Sequence, residues 1–149
     1  MIHYQRELLC EVAGEVDDLL AMHYQELTMH KDRIKLDPRW DEYTALERMG
    51  RLLVFTARCD GELIGYSAFF LNKHLHYAGT TVGVNDVLFL HPDHRKGTTG
   101  IRLIKLCESE LKTLGADKIV WHAKLDTNLH HLLSHLGYAV EEVMYGKML

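Results

Sequence analysis

The dipeptide Asp60-Gly61 constrains the fold of this chain more than any other short feature. It separates two runs rich in aliphatic and aromatic residues, 52–59 and 62–71. A two-residue loop of this kind joins antiparallel neighbours, because both of its residues tolerate the left-handed backbone of a tight hairpin turn. A third such run, 82–90, ends at His91-Pro92, since proline cannot donate to a strand ladder. The sequence therefore predicts an antiparallel hairpin followed closely by another strand.

Helical periodicity surrounds these strands. Apolar residues recur every three or four positions in several segments, and Asp37-Pro38 is a suitable start for one of them. The predicted helices cover 11–27, 38–49, 101–114 and 129–136, with a strand at 118–124 and a final strand pair or bent strand at 138–149. This order predicts a mixed α/β fold, a sheet covered by helices on both faces.

Length, charge and cysteine usage exclude several classes of protein. The 149 residues fit one domain over 1–149, and the formal net charge of −4 disfavours a general nucleic-acid binder. Cys10, Cys59 and Cys107 form no CxxC pair, which argues against a disulfide framework and a thiolate metal site. No run resembles a signal peptide or a membrane span. We therefore expect a cytoplasmic protein without a nucleic-acid or membrane partner.

The segment after the third strand has the features of an anion site. Two basic residues and a loop rich in glycine and threonine precede a helix start. The first amides of a helix lack intrahelical acceptors and carry partial positive charge, so a phosphate or diphosphate is favoured there. Gly97 and Gly100 permit close approach of the backbone. Neither GxxxxGK[ST] nor GxGxxG occurs, which disfavours a P-loop NTPase or a Rossmann site.

This segment resembles the acyl-CoA signature of the GNAT N-acetyltransferases, whose loop reads R/Q-x-x-G-x-G/A. The matching residues are Leu90-His91-Pro92 and Arg95-Lys-Gly-Thr-Thr-Gly100, although Thr98 stands where the first loop glycine is usual. The order of elements along the whole chain is also similar to that of the family. The segment Leu136-Gly137-Tyr138 is similar to the family's L-G-F/Y segment, and the ending Tyr145–Leu149 resembles small phage-encoded members.

The resemblance implies a GNAT-like, largely antiparallel sheet that binds acetyl-CoA as co-substrate. The pantetheine arm would lie against the backbone of Leu88, Phe89 and Leu90, where the third strand splays from strand 118–124. The strand backbone there would also supply the oxyanion donor. The diphosphate would bind Arg95 and the amides of the loop and first helical turn, which belong to Lys96, Gly97, Thr98, Thr99, Gly100 and Ile101.

Acyl transfer to an amine needs a group that accepts the amine's proton. Asn85 and Asp86 interrupt an apolar run, and both are poor strand formers, so they indicate a bulge or a site. Alternation along a strand would place Asp86 on the face of Leu88 and Leu90, where it would act as the base directly or through water. The alternative is a bulge residue that hydrogen-bonds its own backbone.

The acid that protonates the leaving thiolate has no clear match to the family. Many members carry a tyrosine four residues before the glycine of the L-G-F/Y segment, and Leu133 occupies that position here. Tyr138, Tyr145 or Ser134 would replace it, or solvent would protonate a thiolate whose pKa of about 8.5 makes it a tolerable leaving group.

Asn85, His122 and His30 are the candidate acceptor-binding residues. By its resemblance to the family, strand 118–124 lines the acceptor side and the loop around His30 shapes acceptor specificity; a hydrogen-bonded strand histidine and a solvated loop are the alternatives. His131 and His135 stand at i and i+4, but no carboxylate or thiolate lies in motif spacing, so a solvated helix face is favoured over a metal site. We predict no metal.

The leading hypothesis is an enzyme that transfers the acetyl group of acetyl-CoA directly to a primary amine of a small molecule, peptide or protein, in a ternary complex. A CoA-binding regulatory or interaction module that has lost transfer activity is the alternative, and a histidine-dependent metal protein is a third. A homodimer through the apolar residues Val143, Met144 and Met148 is also expected.

Overall fold

The computed structural model describes all residues, 1–149. Five strands form one sheet in the order β1-β2-β3-β4-β5, antiparallel from β1 to β4 and parallel between β4 and β5. The elements in chain order are β1 (Ile2–Glu7), α1 (Leu9–Val12), α2 (Asp17–Leu27), α3 (Trp40–Arg48), β2 (Leu52–Cys59), β3 (Glu62–Lys73), β4 (Thr81–Leu90), α4 (Thr99–Thr113), β5 (Lys118–Val120) and α5 (Asn128–His135). The predicted mixed α/β fold is confirmed.

The hairpin at the centre of the sheet forms as the sequence predicts. Asp60 and Gly61 both have positive φ, 49° and 93°, the backbone that a two-residue hairpin turn of matching twist requires. β2 and β3 pair antiparallel from Leu52↔Phe70 to Cys59↔Glu62. The third predicted strand follows as β4, which pairs antiparallel with β3.

Two hydrophobic cores lie on opposite faces of the sheet. The first, here called the α3-side core, lies under α1 to α3 and contains Leu9, Val12, Val16, Leu19, Leu52, Val54, Leu63, Tyr66, Ala68 and Phe89. The second, the α4-side core, contains Phe55, Ala57, Ile64, Phe69, Leu103, Cys107 and Leu111. Helices therefore cover both faces, and each face of β4 contributes to a different core.

Five details differ from the sequence prediction. The N-terminal residues form β1, which pairs with β2, and the first predicted helix is interrupted around Gly14 into α1 and α2. α3 begins at Trp40 with Arg39 as its N-cap, so Asp37 and Pro38 lie before it. The strand predicted at 118–124 ends at Val120, and 138–149 contains no strand. No helix is both long and apolar enough to cross a bilayer.

Candidate functional site

An open edge of β4 forms one wall of the site. β4 and β5 pair at Val82↔Lys118, Gly83↔Ile119 and Val84↔Val120, and their ladder ends there. From Asn85 to Leu90, β4 remains paired with β3 but has no strand on its other side. The predicted splay between these two strands is therefore present.

The hydrogen bonding of β3 with β4 fixes which amides face this open edge. His91 N donates to Ile64 O at 2.7 Å, so that pair lies on the hydrogen-bonded side of the ladder. Backbone direction alternates along an antiparallel strand, which turns Phe89 toward β3 and turns Leu88 and Leu90 away from it. The amides of Leu88 and Leu90 are thus directed to the gap, where an extended ligand could pair with them.

The loop after β4 presents unpaired amides at the start of α4. Gly97 has φ +67°, a conformation that favours glycine, and Thr98 is the N-cap, although its side chain makes no capping hydrogen bond. The first helical hydrogen bond runs from Arg102 N to Thr98 O at 2.9 Å, and no backbone carbonyl accepts from the amides of residues 96–101. The amides of residues 96–101, here called the anion cradle, form the kind of donor set that binds a diphosphate.

Arg95, the predicted diphosphate ligand, is held by other groups. Both terminal nitrogens of its guanidinium donate to the Glu26 carboxylate, at 2.7 and 2.6 Å. Its Nε donates to Leu90 O at 2.8 Å, and its Cζ lies 5.2 Å from the centroid of the Phe89 ring. The hydrogen bond from Arg95 lowers the pKa of Glu26. Arg95 thereby ties the loop to α2 and to the end of β4.

A β-bulge at Asp86 changes the predicted orientation of this residue. Ala68 pairs with Val87 and Phe69 pairs with Asn85, so Asp86 has no partner in β3. The inserted residue breaks the alternation of side chains along β4. The prediction that Asp86 shares a face with Leu88 and Leu90 is therefore wrong: those leucines pack against the α4-side core, whereas Asp86 contacts Tyr43 of α3 on the opposite face.

Asn85 fills the bulge from the inside of the sheet. Its side-chain amide is 2% exposed and donates toward Ser67 Oγ, Ala68 O and Val87 O, at 3.2, 3.3 and 2.9 Å. These contacts use the donors of the amide group and link β3 to β4 at the bulge. The predicted role of Asn85 in acceptor binding stays a prediction, and its observed contacts hold the bulge.

Tyr43 on α3 is a site residue that the sequence reading missed. Its hydroxyl donates to Asp86 Oδ2 at 2.7 Å, and its ring stacks on Phe70 with centroids 6.3 Å apart. Burial, followed by the hydrogen bond to Asp86, raises the pKa of Tyr43, so the phenol stays protonated. An i, i+3 aromatic pair, Trp40 and Tyr43, is the sequence signal that marks this face of α3 as inward.

His23 on α2 is the second residue that was missed. Its Nδ1 lies 2.9 Å from Tyr66 Oη, and its ring stacks on Phe89 with centroids 5.0 Å apart and an interplanar angle of 18°. Burial lowers the pKa of His23, which favours the neutral imidazole. The sequence does carry a signal for this residue. His23 stands four residues after Leu19 and four before Leu27, in the apolar stripe of α2, which indicates a side chain directed toward the core.

Tyr138 lies on the far side of the sheet from Asp86. Its hydroxyl donates to Glu108 Oε2 of α4 at 2.9 Å, and its ring packs edge-on against Trp121 of the α4-side core. Burial raises the pKa of Tyr138 to about 12. Ser134 Oγ donates within its own helix, to His130 O. Neither hydroxyl meets the groups around Asp86.

The remaining predicted residues are dispersed over the surface. Tyr145 is 92% exposed in the C-terminal segment. His30 is exposed in the connection between α2 and α3 with φ +56°, and His122 is exposed just after β5. His135 Nδ1 lies 2.8 Å from His131 O on α5, and no three His, Cys, Asp or Glu side chains group together as metal ligands would.

Comparison with known proteins agrees with this geometry. The model of the acetyltransferase (GNAT) family matches residues 16–138. A search of curated proteins finds no match. The fold is similar to a ribosomal-protein-alanine N-acetyltransferase from Brucella melitensis biovar Abortus 2308, at 21% identity and TM-score 0.75, over 100% of this chain and 99% of that one.

Two further solved structures have similar folds at lower identity. An aminoglycoside acetyltransferase from an uncultured soil metagenomic sample has 19% identity and TM-score 0.78, over 100% of this chain and 99% of that one. The glucosamine-6-phosphate N-acetyltransferase of Arabidopsis thaliana has 10% identity and TM-score 0.74, over 99% and 98%. Because the family model spans 16–138 of the 149 residues, the chain belongs to the acetyltransferase (GNAT) family of enzymes.

Proposed function

We propose that this protein transfers the acetyl group of acetyl-CoA to a primary amine while both substrates are bound. The observation that carries the proposal is the continuity between the open edge of β4 and the unpaired amides of residues 96–101. An edge of backbone donors that leads into an anion cradle suits a ligand with an amide-bearing arm joined to a diphosphate. Acetyl-CoA has both parts.

The residues present fit this co-substrate. The amides of residues 96–101 would hold the diphosphate, and the amides of Leu88 and Leu90 would pair with the pantetheine arm and donate to the thioester oxygen. Acetyl-CoA supplies an activated thioester, from which the acetyl group passes to the amine nitrogen. Arg95, bound to Glu26, keeps the loop in the conformation that exposes its amides.

Two groups on the α3 side of the sheet are candidates to accept the proton that the acceptor ammonium must lose. Asp86, predicted from the sequence, is a carboxylate that accepts a hydrogen bond from Tyr43. His23 presents an imidazole against Phe89, next to the β4 backbone that would hold the thioester. The observed contacts give no special support to Tyr138 or Tyr145 as leaving-group acids, and solvent suffices for a thiolate of ordinary basicity, with a pKa of about 8.5.

The acceptor is a primary amine, and an amine panel identifies the molecule that bears it. Solved structures with this fold are named for a ribosomal-protein alanine, an aminoglycoside and glucosamine-6-phosphate. Their acceptors differ in size and charge but share an amine. A panel of an alanine-ended peptide, an aminoglycoside and an amino-sugar phosphate therefore covers the three types.

Calorimetric titration with acetyl-CoA tests the anion cradle. Thr98→Asp adds a carboxylate at the N-cap of α4, and Thr98→Asn adds an equally good cap without charge. Both variants should unfold at a slightly higher temperature than the wild type. Thr98→Asp should lose acetyl-CoA binding by tenfold or more, and Thr98→Asn should keep it. Equal affinity in the two variants would refute the cradle.

Release of free CoA with the amine panel tests the transfer. We expect sustained release with at least one amine, with a loss of rate in Asp86→Ala while acetyl-CoA still binds. Binding without any amine-dependent release would favour the CoA-binding module instead.

The exposed apolar residues of the C-terminal segment bear on assembly. Val143 and Met144 are 57% and 85% exposed, which supports the proposed homodimer through the C-terminal segment. Sedimentation of the wild type and of Met144→Lys tests it, because the added charge should dissociate a dimer formed there. The cytoplasmic location and the resemblance to phage-encoded members stay predictions.

A further inference from the structure

We propose that His23 is a hydrogen-bond donor to the oxygen of the reacting thioester, because Tyr66 donates to its Nδ1 and the imidazole proton therefore lies on Nε2. The role at the thioester rests on the proposed function. The position of the proton does not, since it is a property of the protein without substrate. His23 lies on α2, and Tyr66 lies on β3.

The buried hydroxyl of Tyr66 fixes the position of the imidazole proton. Tyr66 is 4% exposed, and the one hydrogen-bonding partner of its hydroxyl is His23 Nδ1, at 2.9 Å. If Nδ1 carried the proton, the hydroxyl would accept it, and the hydroxyl's own hydrogen would have no acceptor. A buried donor without a partner is unfavourable, so the hydroxyl donates and Nδ1 accepts. In a neutral imidazole the proton is then on Nε2.

The surroundings of His23 keep the imidazole neutral. Burial has the largest effect and lowers its pKa; the carboxylates Glu26 and Asp86 oppose this effect, and the cations Arg95 and Lys124 add to it. A neutral ring is needed here, because a doubly protonated imidazole has no lone pair with which to accept a hydrogen bond. A neutral imidazole is still an N–H donor that can polarise a carbonyl group.

Nε2 is directed away from β3 and toward the open edge of β4. The His23 ring stacks on Phe89 with centroids 5.0 Å apart, and Tyr66 pairs with Phe89 across the β3–β4 ladder. Nδ1 points to the Tyr66 hydroxyl on the β3 side, and the two nitrogens of an imidazole point in widely different directions. Nε2 makes no hydrogen bond within the protein, and it is not enclosed, since Trp121 Nε1 is the only enclosed side-chain nitrogen or oxygen without a partner.

Three donors therefore face the same gap beside β4. The amides of Leu88 and Leu90 are directed to it, and Phe89, on which the imidazole lies, stands between them in the strand. The carbonyl oxygen of a thioester held at this edge has lone pairs for a backbone amide and for Nε2–H. The ion pair between α2 and the loop before α4 holds the imidazole in place before the substrate arrives, as a donor to a developing oxyanion requires.

The reaction balances with His23 keeping its proton. The acceptor ammonium loses one proton, and the free amine forms a C–N bond with the acetyl carbon as the carbonyl π pair moves onto oxygen, where Nε2–H donates to it. That pair re-forms the C=O bond as the C–S bond breaks. The second proton leaves the nitrogen, the thiolate takes one proton, and the other leaves to solvent. Of the two candidate bases, this assignment leaves Asp86.

Nuclear magnetic resonance of the imidazole nitrogens tests the proton position in the free protein. The resonances of His23 are assigned by their loss in His23→Gln. We expect the Nε2–H tautomer at neutral pH, with an Nδ1 shift that changes in Tyr66→Phe as the hydrogen bond is lost. Tyr4→Phe, at a half-buried tyrosine packed against the α4-side core, is the matched control and should leave Nδ1 unchanged. The Nδ1–H tautomer would overturn the proposal, whatever the protein catalyses.

The infrared carbonyl band of bound acetyl-CoA, labelled with carbon-13 at the carbonyl, tests the contact with the thioester. Two variants of His23 are compared, because the amide nitrogen of glutamine takes the place of Nε2, whereas that of asparagine reaches only the place of Nδ1. A hydrogen bond lowers the carbonyl stretching frequency. We expect a lower frequency in the wild type and His23→Gln than in His23→Asn. His76→Asn, at an exposed histidine of the β3–β4 hairpin, is the control and should match the wild type.

Steady-state kinetics with one acceptor tests the catalytic role. Loss of a single oxyanion donor lowers kcat by about 100-fold or more, so we expect this loss in His23→Asn, with KM for acetyl-CoA close to that of the wild type. His23→Gln should retain most of the rate. An equal loss of kcat in the two variants would overturn the role of Nε2–H, because it would show only that the imidazole is needed for packing.

Calorimetry with acetyl-CoA on each protein separates the remaining outcomes. If all variants bind acetyl-CoA and the carbonyl frequency is the same in each, the inference fails and the proposed function stands. If the wild type does not bind acetyl-CoA, the proposed function and the role of His23 at the thioester fail together, and the nitrogen shifts still decide the position of the proton.

Discussion

The ion pair between Glu26 and Arg95 joins α2 to the loop that precedes α4, and its contribution to stability can be estimated from the structure. The two bonds are short, at 2.7 and 2.6 Å, but the side chains are 37% and 38% exposed, so water screens the charges. Exposed pairs contribute about 0.2–1 kcal/mol, and a bidentate arginine belongs at the upper end. We therefore expect a coupling energy of about 0.5–1 kcal/mol in a double-mutant cycle of Glu26→Gln and Arg95→Gln.

Urea unfolding followed by tryptophan fluorescence measures this energy. Arg95→Gln should destabilise more than Glu26→Gln, because it also removes the bond to Leu90 O and the contact with Phe89. The pair Lys118–Glu141, at 2.7 Å but 48% and 54% exposed, is a control cycle that should give a smaller coupling. A coupling below about 0.3 kcal/mol for Glu26 and Arg95 would refute the clamp.

The same pair predicts a pH dependence. Arg95 lowers the pKa of Glu26 in the folded protein below its unfolded value of 4.5. The folded state therefore binds fewer protons in that range, and the stabilisation is present above about pH 4.5 and lost as the pH falls through the lowered folded value. The coupling should disappear under acid and weaken at high salt. A coupling unchanged by either condition would contradict an ionic origin.

Acetyl-CoA titration of the two variants separates two roles of Arg95. If Arg95 acts by holding the loop, both variants should weaken binding to a similar extent. If Arg95 leaves Glu26 to bind the diphosphate, Glu26→Gln should strengthen binding, because it releases the guanidinium, and Arg95→Gln should weaken it. The observed geometry leads us to expect the first result.

Three further predictions follow from the backbone and from His23. Gly97→Ala should cost about 1–2 kcal/mol and weaken acetyl-CoA binding, because φ is +67° although a Cβ would meet no atom within 4 Å; urea unfolding and calorimetry measure the two effects. Gly65→Ala should destabilise by about 1–3 kcal/mol, since its Cβ would lie 2.8 Å from Leu90 Cδ1, whereas Gly79→Ala meets nothing and should have little effect. The free energy of unfolding should fall as the pH drops below about 6.5, because the folded His23 has the lower pKa, and His23→Gln should flatten this slope in urea titrations.

The parts of the fold that depend on neighbouring residues were predictable. The Asp60-Gly61 turn requires only that two adjacent residues accept positive φ, and the flanking apolar runs then meet across it. The loop before α4 is local in the same sense, because unpaired amides follow from the first turn of any helix. Sequence alone therefore indicated that the amides of residues 96–101 are unpaired, and their binding of a diphosphate stays a prediction.

The predictions for the two ends of the chain were wrong, because the structure there depends on residues that are distant in sequence. β1 becomes a strand by pairing with β2, more than fifty residues later, from Ile2↔Cys59 to Glu7↔Val54. Its alternation of apolar and polar residues covers too few positions to distinguish it from an irregular N-terminus. The segment 138–149 has strand-like residues, yet it pairs with no strand of the sheet, although β5 lies at the sheet's edge. Strand propensity alone is therefore not enough to make a strand.

The position of Asp86 illustrates how one inserted residue changes the geometry that a strand pattern predicts. Two poor strand formers within β4 indicated a bulge or a site. The bulge is present, with Asn85 hydrogen-bonded across it, and the catalytic role of Asp86 stays a prediction. Side chains alternate between the two faces along a regular strand, and an inserted residue interrupts that alternation. Asp86 therefore lies on the face of Tyr43 and not on that of Leu88. The bulge therefore leaves the carboxylate on one face and the backbone donors at the edge of the same strand. On that same face the imidazole of His23 stacks on Phe89, a β4 residue that lies between Leu88 and Leu90.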